Sequence, residues 1–207
     1  RDKSMLRFLA RGGARPLLLD WGAPGPLEAG FDLDDYGARL LVVGLAPGMH
    51  GANRSGRPFT GDYAGILLYE TLHVFGFASR PQSVAAGDGL ELIDCRISNA
   101  VKCLPPQNKP EPSEIRTCNP HLSAELSRAA ELRVILALGL VAHKAVLMAA
   151  GLKQSACTFA HGARHELPGG RVLIDSYHCS RYNTQTRRLT SADFQDVFRQ
   201  IRTELDA

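Results

Sequence analysis

Leu40-Leu41-Val42-Val43-Gly44-Leu45 is a short, unbroken apolar run. Runs of this kind fill strands that are covered on both faces, as in a parallel sheet. Working outward, three further runs have the same character: Ile97 to Val101, Val134-Ile135-Leu136-Ala137-Leu138 ending at Gly139, and Val172-Leu173-Ile174-Asp175-Ser176. Helical periodicity occupies the intervals. Tyr63 to Phe77 places Ile66, Leu67, Leu72 and Phe75 on or near one face. Pro112-Ser113-Glu114 announces a helix through Leu122, Leu126 and Ala130, with a break expected near Pro120. Leu140 to Ala150 is a third helix, with Gly151 as its C-terminal stop. The last starts at Thr190, whose hydroxyl can cap it, and carries Phe194, Val197, Phe198, Ile201 and Leu205 as one stripe. Alternation of strand and helix predicts an α/β three-layer sandwich: a central parallel sheet of about four strands flanked by helices. The 207 residues fit one domain. Within it, residues 1–39 read as an irregular segment with a short helix (Ser4 to Ala10) and a loop carrying Trp21.

In such sheets the working crevice lies beyond the carboxyl ends of the strands. That rule selects segments 46–62, 102–110, 139–143 and 177–189. Composition narrows the function classes. No apolar run approaches the roughly 18 residues that span a bilayer. The start, Arg1-Asp2-Lys3-Ser4, lacks a secretory pattern, so no membrane role and a cytoplasmic location are the expectation. A net charge of +3 excludes an overall basic clamp. Two local groups of arginine remain, Arg54 with Arg57 and Arg181 with Arg187 and Arg188. They suit a few phosphates or, equally, solvated loops. Five cysteines (95, 103, 118, 157 and 179) form no secreted framework, and Cys-x-x-Cys is absent. Cys95, Cys103 and Cys118 fall in one segment, which leaves open metal or cluster binding and buried reduced thiols.

Three segments carry chemistry. Gly44-Leu45-Ala46-Pro47-Gly48-Met49-His50-Gly51-Ala52-Asn53-Arg54-Ser55-Gly56-Arg57-Pro58-Phe59-Thr60-Gly61-Asp62 combines flexible backbone with two arginines, an aromatic ring and a carboxylate. Its glycines let backbone N–H and C=O groups approach a planar ligand closely, while Phe59 can stack on it. It is neither a P-loop nor a dinucleotide fingerprint; a turn without ligand is the alternative. Asn99 stands in an otherwise apolar strand, and its amide offers the donor and acceptor that the edge of a pyrimidine such as uracil requires. An Asn satisfied by neighbouring backbone is the competing reading. Tyr177-His178-Cys179-Ser180-Arg181-Tyr182-Asn183-Thr184-Gln185-Thr186-Arg187-Arg188-Leu189-Thr190 leaves the last strand directly, so His178 points into the crevice and the loop after it can lie against a duplex groove.

With these segments in view, the chain resembles the fifth family of the uracil-DNA glycosylase superfamily, the UDGb enzymes. Residues 44–62 match that family's first motif almost throughout, with Ser55 in place of Thr. Asn99-Ala100-Val101-Lys102-Cys103-Leu104-Pro105-Pro106 looks like its Asn-Ala-Val-Arg-Cys-x-Pro-Pro. Residues 178–190 match His-Pro-Ser-x-x-Asn-x-x-Thr-Gly-Arg-Leu-Thr, except that Cys179 replaces Pro and Arg187 replaces Gly. The resemblance covers about residues 38–207.

It implies a monomeric enzyme that removes uracil, and other deaminated bases such as hypoxanthine, from DNA by hydrolysing the N-glycosidic bond, the first step of base excision repair. Gly44, Leu45, Ala46, Phe59 and Asn99 would hold the flipped base, with Phe59 stacking and Asn99 at its edge. Asp62 and His178 would be catalytic, Asp62 because Ala46 replaces the polar water-activating residue of other branches. Asn53, Arg54, Arg57, Ser180, Arg181, Tyr182, Asn183, Arg187 and Arg188 would contact DNA. Neither a catalytic metal nor a nucleotide cofactor is implied. The family's [4Fe-4S] cluster uses four cysteines, of which Cys103 and Cys118 match two, while no cysteine precedes Cys95. Two other classes compete: a catalytically silent nucleic-acid-binding module, and a nucleotide phosphohydrolase, which would need more carboxylates near the glycine-rich loop than Asp62.

Overall fold

The computed structural model describes residues 37–207. The expected helix at Ser4 to Ala10 and the Trp21 loop lie outside the described residues. Five strands form one sheet: β1 (Leu40–Gly44), β2 (Cys95–Asn99), β3 (Val134–Leu138), β4 (Arg164–Leu167) and β5 (Arg171–Ser176). Their order is β2-β1-β3-β5-β4. The first four in that order run parallel, and β4 pairs antiparallel to β5 at the edge. The parallel sheet predicted from the apolar runs is present, with one strand more than expected. The extra strand, Arg-His-Glu-Leu, is mostly solvent-facing and has no apolar run to announce it.

Among the described residues six α-helices accompany the sheet: α1 (Ala52–Ser55), α2 (Tyr63–Val74), α3 (Pro112–Arg128), α4 (Leu140–Ala149), α5 (Arg181–Gln185) and α6 (Ser191–Asp206). The period-two geometry of a strand sends successive side chains to opposite faces. Leu40, Val42, Leu136 and Ile174 therefore enter one core, against Leu68 and Leu72 of α2 and Phe194, Phe198 and Ile201 of α6. Leu41, Val43, Ile135 and Leu173 enter the other, against Leu122 and Leu126 of α3 and Ala142 and Val146 of α4. Each fully buried Leu, Ile or Phe contributes about 1.5–3 kcal/mol. Burial on both faces explains why the strand sequences are continuous rather than alternating.

Helix boundaries follow local chemistry. Thr190 caps α6 by accepting from the Asp193 N–H, and Asp193 reciprocates. Helix α3 runs unbroken through Pro120, against the expected break, and ends at Arg128, short of Ala130. Pro120 is solvent-exposed, as is Arg116, whose carbonyl loses the Pro120 donor and can be met by water. Asn119 and Ser123 also hold α3 to α4 by donating to the Ala145 and Ala149 carbonyls. Helix α2 stops at Val74, before Phe77. No helix among the described residues is long and apolar enough to cross a membrane.

Candidate active site

The carboxyl ends of β1, β2 and β5 open onto a cavity of about 280 Å³. Its walls include Leu45, Ala46, Phe59, Asp62, Asn99 and His178. Phe59 and His178, 119 positions apart in the chain, thus face one space because three strand ends converge there.

Glycine positions fix its shape. Gly44 is the last residue of β1 and pairs with Asn99, the last of β2. A Cβ at residue 44 would come within 2.5 Å of Asn99 Oδ1 and 2.7 Å of Phe59 Cζ, so only glycine leaves both groups in place. A Cβ at Gly48 would stand 2.6 Å from Asp62 Oδ2, and one at Gly51 only 1.8 Å. The turn between β1 and α2 is therefore folded around the Asp62 carboxylate. Phe59 is buried with φ +56°, a left-handed backbone that costs a bulky residue of order 1–3 kcal/mol. Its neighbours enforce it. Tyr69 Oη donates to the Pro58 carbonyl at 2.7 Å, and a Cβ at Gly65 would strike the Phe59 carbonyl oxygen at 1.8 Å.

Asn99 is 2% exposed, and its Oδ1 has no hydrogen-bond partner. Leaving a buried acceptor unmet costs about 1–3 kcal/mol, which a protein sustains where a ligand supplies the donor. Lys102 holds this segment to α3: its buried ammonium donates to Glu125 Oε1 at 2.6 Å and to Ser98 Oγ at 2.5 Å. The His178 ring lies 6.0 Å from the Phe59 ring, centroid to centroid. Burial lowers its pKa to about 4, so the imidazole is neutral at pH 7 and has one N–H to give. Burial raises the Asp62 carboxyl above its ordinary range, and nearby His50 pulls it partly back.

The two polar loops divide by function. Asn53 is half-buried and Arg54 exposed, both on α1, of which Ala52 lines the cavity. Arg57, expected to face phosphate, is instead 8% exposed. Its Nη1 donates to Asp88 Oδ1 at 2.7 Å and to Ser83 Oγ at 3.0 Å. Burial alone would raise the Asp88 carboxyl, but Arg57 and the Val84, Leu90 and Ala85 N–H groups hold it well below the usual range. That guanidinium is a structural tie for the loop, not a phosphate contact. Segment 177–189, read from sequence as a loop, contains α5, capped by Ser180 Oγ accepting from the Asn183 N–H. Asn183 Nδ2 donates to the His178 carbonyl at 2.8 Å, which sets the histidine's approach. Ser180 and Arg181 line the cavity, and Arg181 lies over the Tyr63 ring at 5.2 Å. Tyr182, Arg187 and the ring-stacked Arg188 lie outside it, with Tyr182 strongly exposed. Cys179, in place of proline, is buried in the α2–α6 core. Asn108 and Tyr63 also line the cavity and were not singled out from sequence. Asn108 follows Gln107 in a turn where both adopt φ +56°, after the Pro105-Pro106 pair that was the available signal.

The family model for the uracil DNA glycosylase superfamily matches residues 31–202. The chain belongs to that superfamily. It is 50% identical over 177 residues to the type-5 uracil-DNA glycosylase of Thermus thermophilus, covering 86% of this chain and 78% of the relative. The type-5 enzyme of Mycobacterium bovis is 42% identical over 187 residues, covering 88% and 67%. That of Pyrobaculum aerophilum is 41% identical over 179 residues, covering 86% and 75%. These relatives place the chain in the type-5 branch, in agreement with the motifs at 44–62, 99–106 and 178–190.

The cluster expected from that branch needs four thiolates in its usual form. Cys103, just past β2, and Cys118 on α3 are half-buried and free of disulfides. Cys95 and Cys179 cannot join them: both are buried in the opposite core, where desolvation pushes their thiols up and keeps them protonated. Cys157 packs against the α3–α4 core in a different loop. Among the described residues, Cys103 and Cys118 alone match the resemblance's ligand pattern, and four cysteines do not gather at one place.

Proposed function

We propose that this chain excises uracil from DNA by hydrolysing the N-glycosidic bond, leaving an abasic site for base excision repair. The observation that carries this reading is the buried, unpartnered Asn99 Oδ1 facing a nucleobase-sized cavity beside Phe59 and His178. An imide N–H, as on uracil, is the donor that oxygen lacks, and the Asn99 amide N–H can answer a base carbonyl.

A base stacked in a duplex is out of reach, so the nucleotide is extruded at a cost of a few kcal/mol, about 2–4. Phe59 offers a stacking face to the extruded base. As the glycosidic bond lengthens, negative charge gathers on the base and positive charge on the sugar. Neutral His178 donates to a base oxygen, the preorganised stabilisation that matters most where charge develops. Asp62 stabilises the sugar cation and orients water toward its anomeric carbon. The bond breaks toward the base, water supplies the hydroxyl at the anomeric carbon, and its proton neutralises the base anion. Asp62 is the sole carboxylate among the described residues lining the cavity, which disfavours a metal-dependent phosphohydrolase.

The rest of the reading extends from this core. Arg54, Asn53 and the α5 loop with Arg181, Tyr182, Arg187 and Arg188 are proposed to meet the DNA backbone and the gap left by the base. Leu45, Ala46, Pro47 and Gly48 present small apolar groups or backbone, so few hydrogen bonds reject a purine; hypoxanthine is the proposed second substrate. We place the chain in the cytoplasm as a monomer. A cluster, where bound, would be held through Cys103 and Cys118 with two further ligands, away from the excision chemistry. Incubation with a uracil-containing oligonucleotide tests the proposal: alkali-labile sites should form with the parent and be much reduced for Asp62→Asn and His178→Ala. DNA binding without base release in the parent would leave a silent binding module instead.

A further inference from the structure

A second polar cluster lies apart from this cavity and is unused by the excision reaction. Asp175, on β5, is fully buried on the α4 side of the sheet. Its Oδ1 lies 2.8 Å from His143 Nδ1 on α4, and its Oδ2 lies 3.0 Å from His165 Nε2 on β4. The other His143 nitrogen, Nε2, lies 3.2 Å from the Cys157 carbonyl oxygen. A carbonyl oxygen only accepts, so that nitrogen carries a hydrogen. Nδ1 then faces the carboxylate either as a second N–H or as a bare nitrogen able to ligate. The first option buries an imidazolium that is 1% exposed, with the Asp175 carboxylate as its counter-ion. The second is the arrangement of a metal-bound imidazole, whose remaining N–H is fixed by a backbone carbonyl.

We propose that His143, His165 and Asp175 form a structural site for one divalent transition-metal ion of the zinc class. Two imidazoles beside one carboxylate suit such ions, whereas calcium and magnesium take oxygen donors and would use only the carboxylate. The three donor atoms lie within 4.8 Å of one another, against about 3.4 Å for a tetrahedral ion with bonds near 2.0–2.1 Å. His165 stands on the edge strand and is 14% exposed. Closing that gap requires His165, the most exposed of the three, to move toward Asp175, with a water as fourth ligand in the usual tetrahedral set. The ion would replace a proton between the rings and the carboxylate, and would clamp α4, the β4–β5 hairpin and the Cys157 loop at one point.

The test uses the full chain, stripped with a chelator, in a Cys103→Ser/Cys118→Ser background that silences the other candidate donors. Titration should find one equivalent of Zn²⁺, Co²⁺ should give the visible absorption of a four-coordinate site, and Zn²⁺ should raise Tm. His165→Ala should weaken Zn²⁺ binding at least about 10- to 100-fold, the scale on which even groups supporting a ligand act. Uracil release should stay at the parent rate, since no member of the cluster lines the cavity. Where His165→Ala does not fold, His165→Gln keeps a donor to Asp175 and should lose zinc while remaining folded. Absence of a Zn²⁺ equivalent in the parent overturns the site, as does equal affinity in the His165 variant; the cluster is then a proton-held tie.

Discussion

Gly51 and Asp62 are in direct contact: a Cβ on the glycine would stand 1.8 Å from the carboxylate's Oδ2. Glycine is needed here for space, because any side chain at this position would meet the carboxylate. Gly51→Ala therefore pushes Asp62 off its position while leaving the fold able to form. We expect kcat on uracil-containing DNA to fall about 100-fold, the usual cost of an ångström of misplacement. KM should change little. An unchanged kcat would mean that the Asp62 position is not critical.

Asp62 and His178 predict a one-sided pH profile. In the proposed mechanism Asp62 acts as carboxylate, and burial raises its pKa, so activity should fall as pH drops through a value above the ordinary carboxylate range. His178 is proposed to act as the neutral ring and stays neutral down to about pH 4, so it adds no limb between pH 5 and 8. Asp62→Asn should flatten the profile at a rate about 100-fold or more lower. Stability moves differently. An unfolded histidine takes a proton near pH 6.5 and the folded one near 4, so the fold loses stability as pH falls across that window. His178→Ala should reduce that slope in urea titrations at pH 7 and pH 4.5. A bell-shaped rate profile with a limb near 6.5 would assign His178 a different protonation state.

Asn99 should separate stability from activity. Its Oδ1 is buried without a partner, so Asn99→Ala removes an unmet acceptor together with a little packing, and Tm should hold within a few degrees, about 3 °C. Uracil excision should fall by about 10²–10³-fold, as when a donor or acceptor matched to the reacting group is deleted. A large drop in Tm with intact activity would make Asn99 a core residue only.

Legibility in the sequence tracked how strongly each segment is constrained. Val134 to Leu138 and Leu40 to Gly44 are covered on both faces, and their unbroken apolar runs announce it. Edge strand β4 must satisfy one partner and otherwise meets water, so Arg164-His165-Glu166-Leu167 carries no pattern to read. Helix α5 is five residues long and buries none of them, too short for any period. The convergence was legible because Phe59 and Asp62 lie in the connection after β1, Asn99 ends β2 and His178 closely follows β5, so that topology decides which segments meet. Arg57 was misread for the opposite reason. Its partner, Asp88, is 31 residues away in a segment with no regular structure, and nothing in the local sequence marks the pair.

That pair gives two arginines, three positions apart, opposite predicted effects. Arg57→Ala strips Asp88 of its cation in a largely buried site and should cost about 3 kcal/mol in urea unfolding. The salt dependence of DNA binding should not change. Arg54→Ala, on the exposed rim, should leave stability within about 0.5 kcal/mol and lower the slope of log K against log salt by about 1. The reverse pattern would return Arg57 to the DNA-facing surface.

Arg187 replaces the family's glycine at a position with φ +56°. A left-handed backbone costs a residue with a Cβ roughly 1–2 kcal/mol, and glycine adopts it freely. Part of that gain is offset by the greater freedom of glycine in the unfolded chain. Arg187→Gly should therefore raise stability by about 0.5–1 kcal/mol, read as a higher urea midpoint at unchanged m. If the arginine has been kept for its charge, the same variant should lose about one unit of salt slope on DNA and bind more weakly at low salt. Higher stability with an unchanged slope would show strain without a phosphate contact, and Arg187 would leave the list of DNA-facing residues.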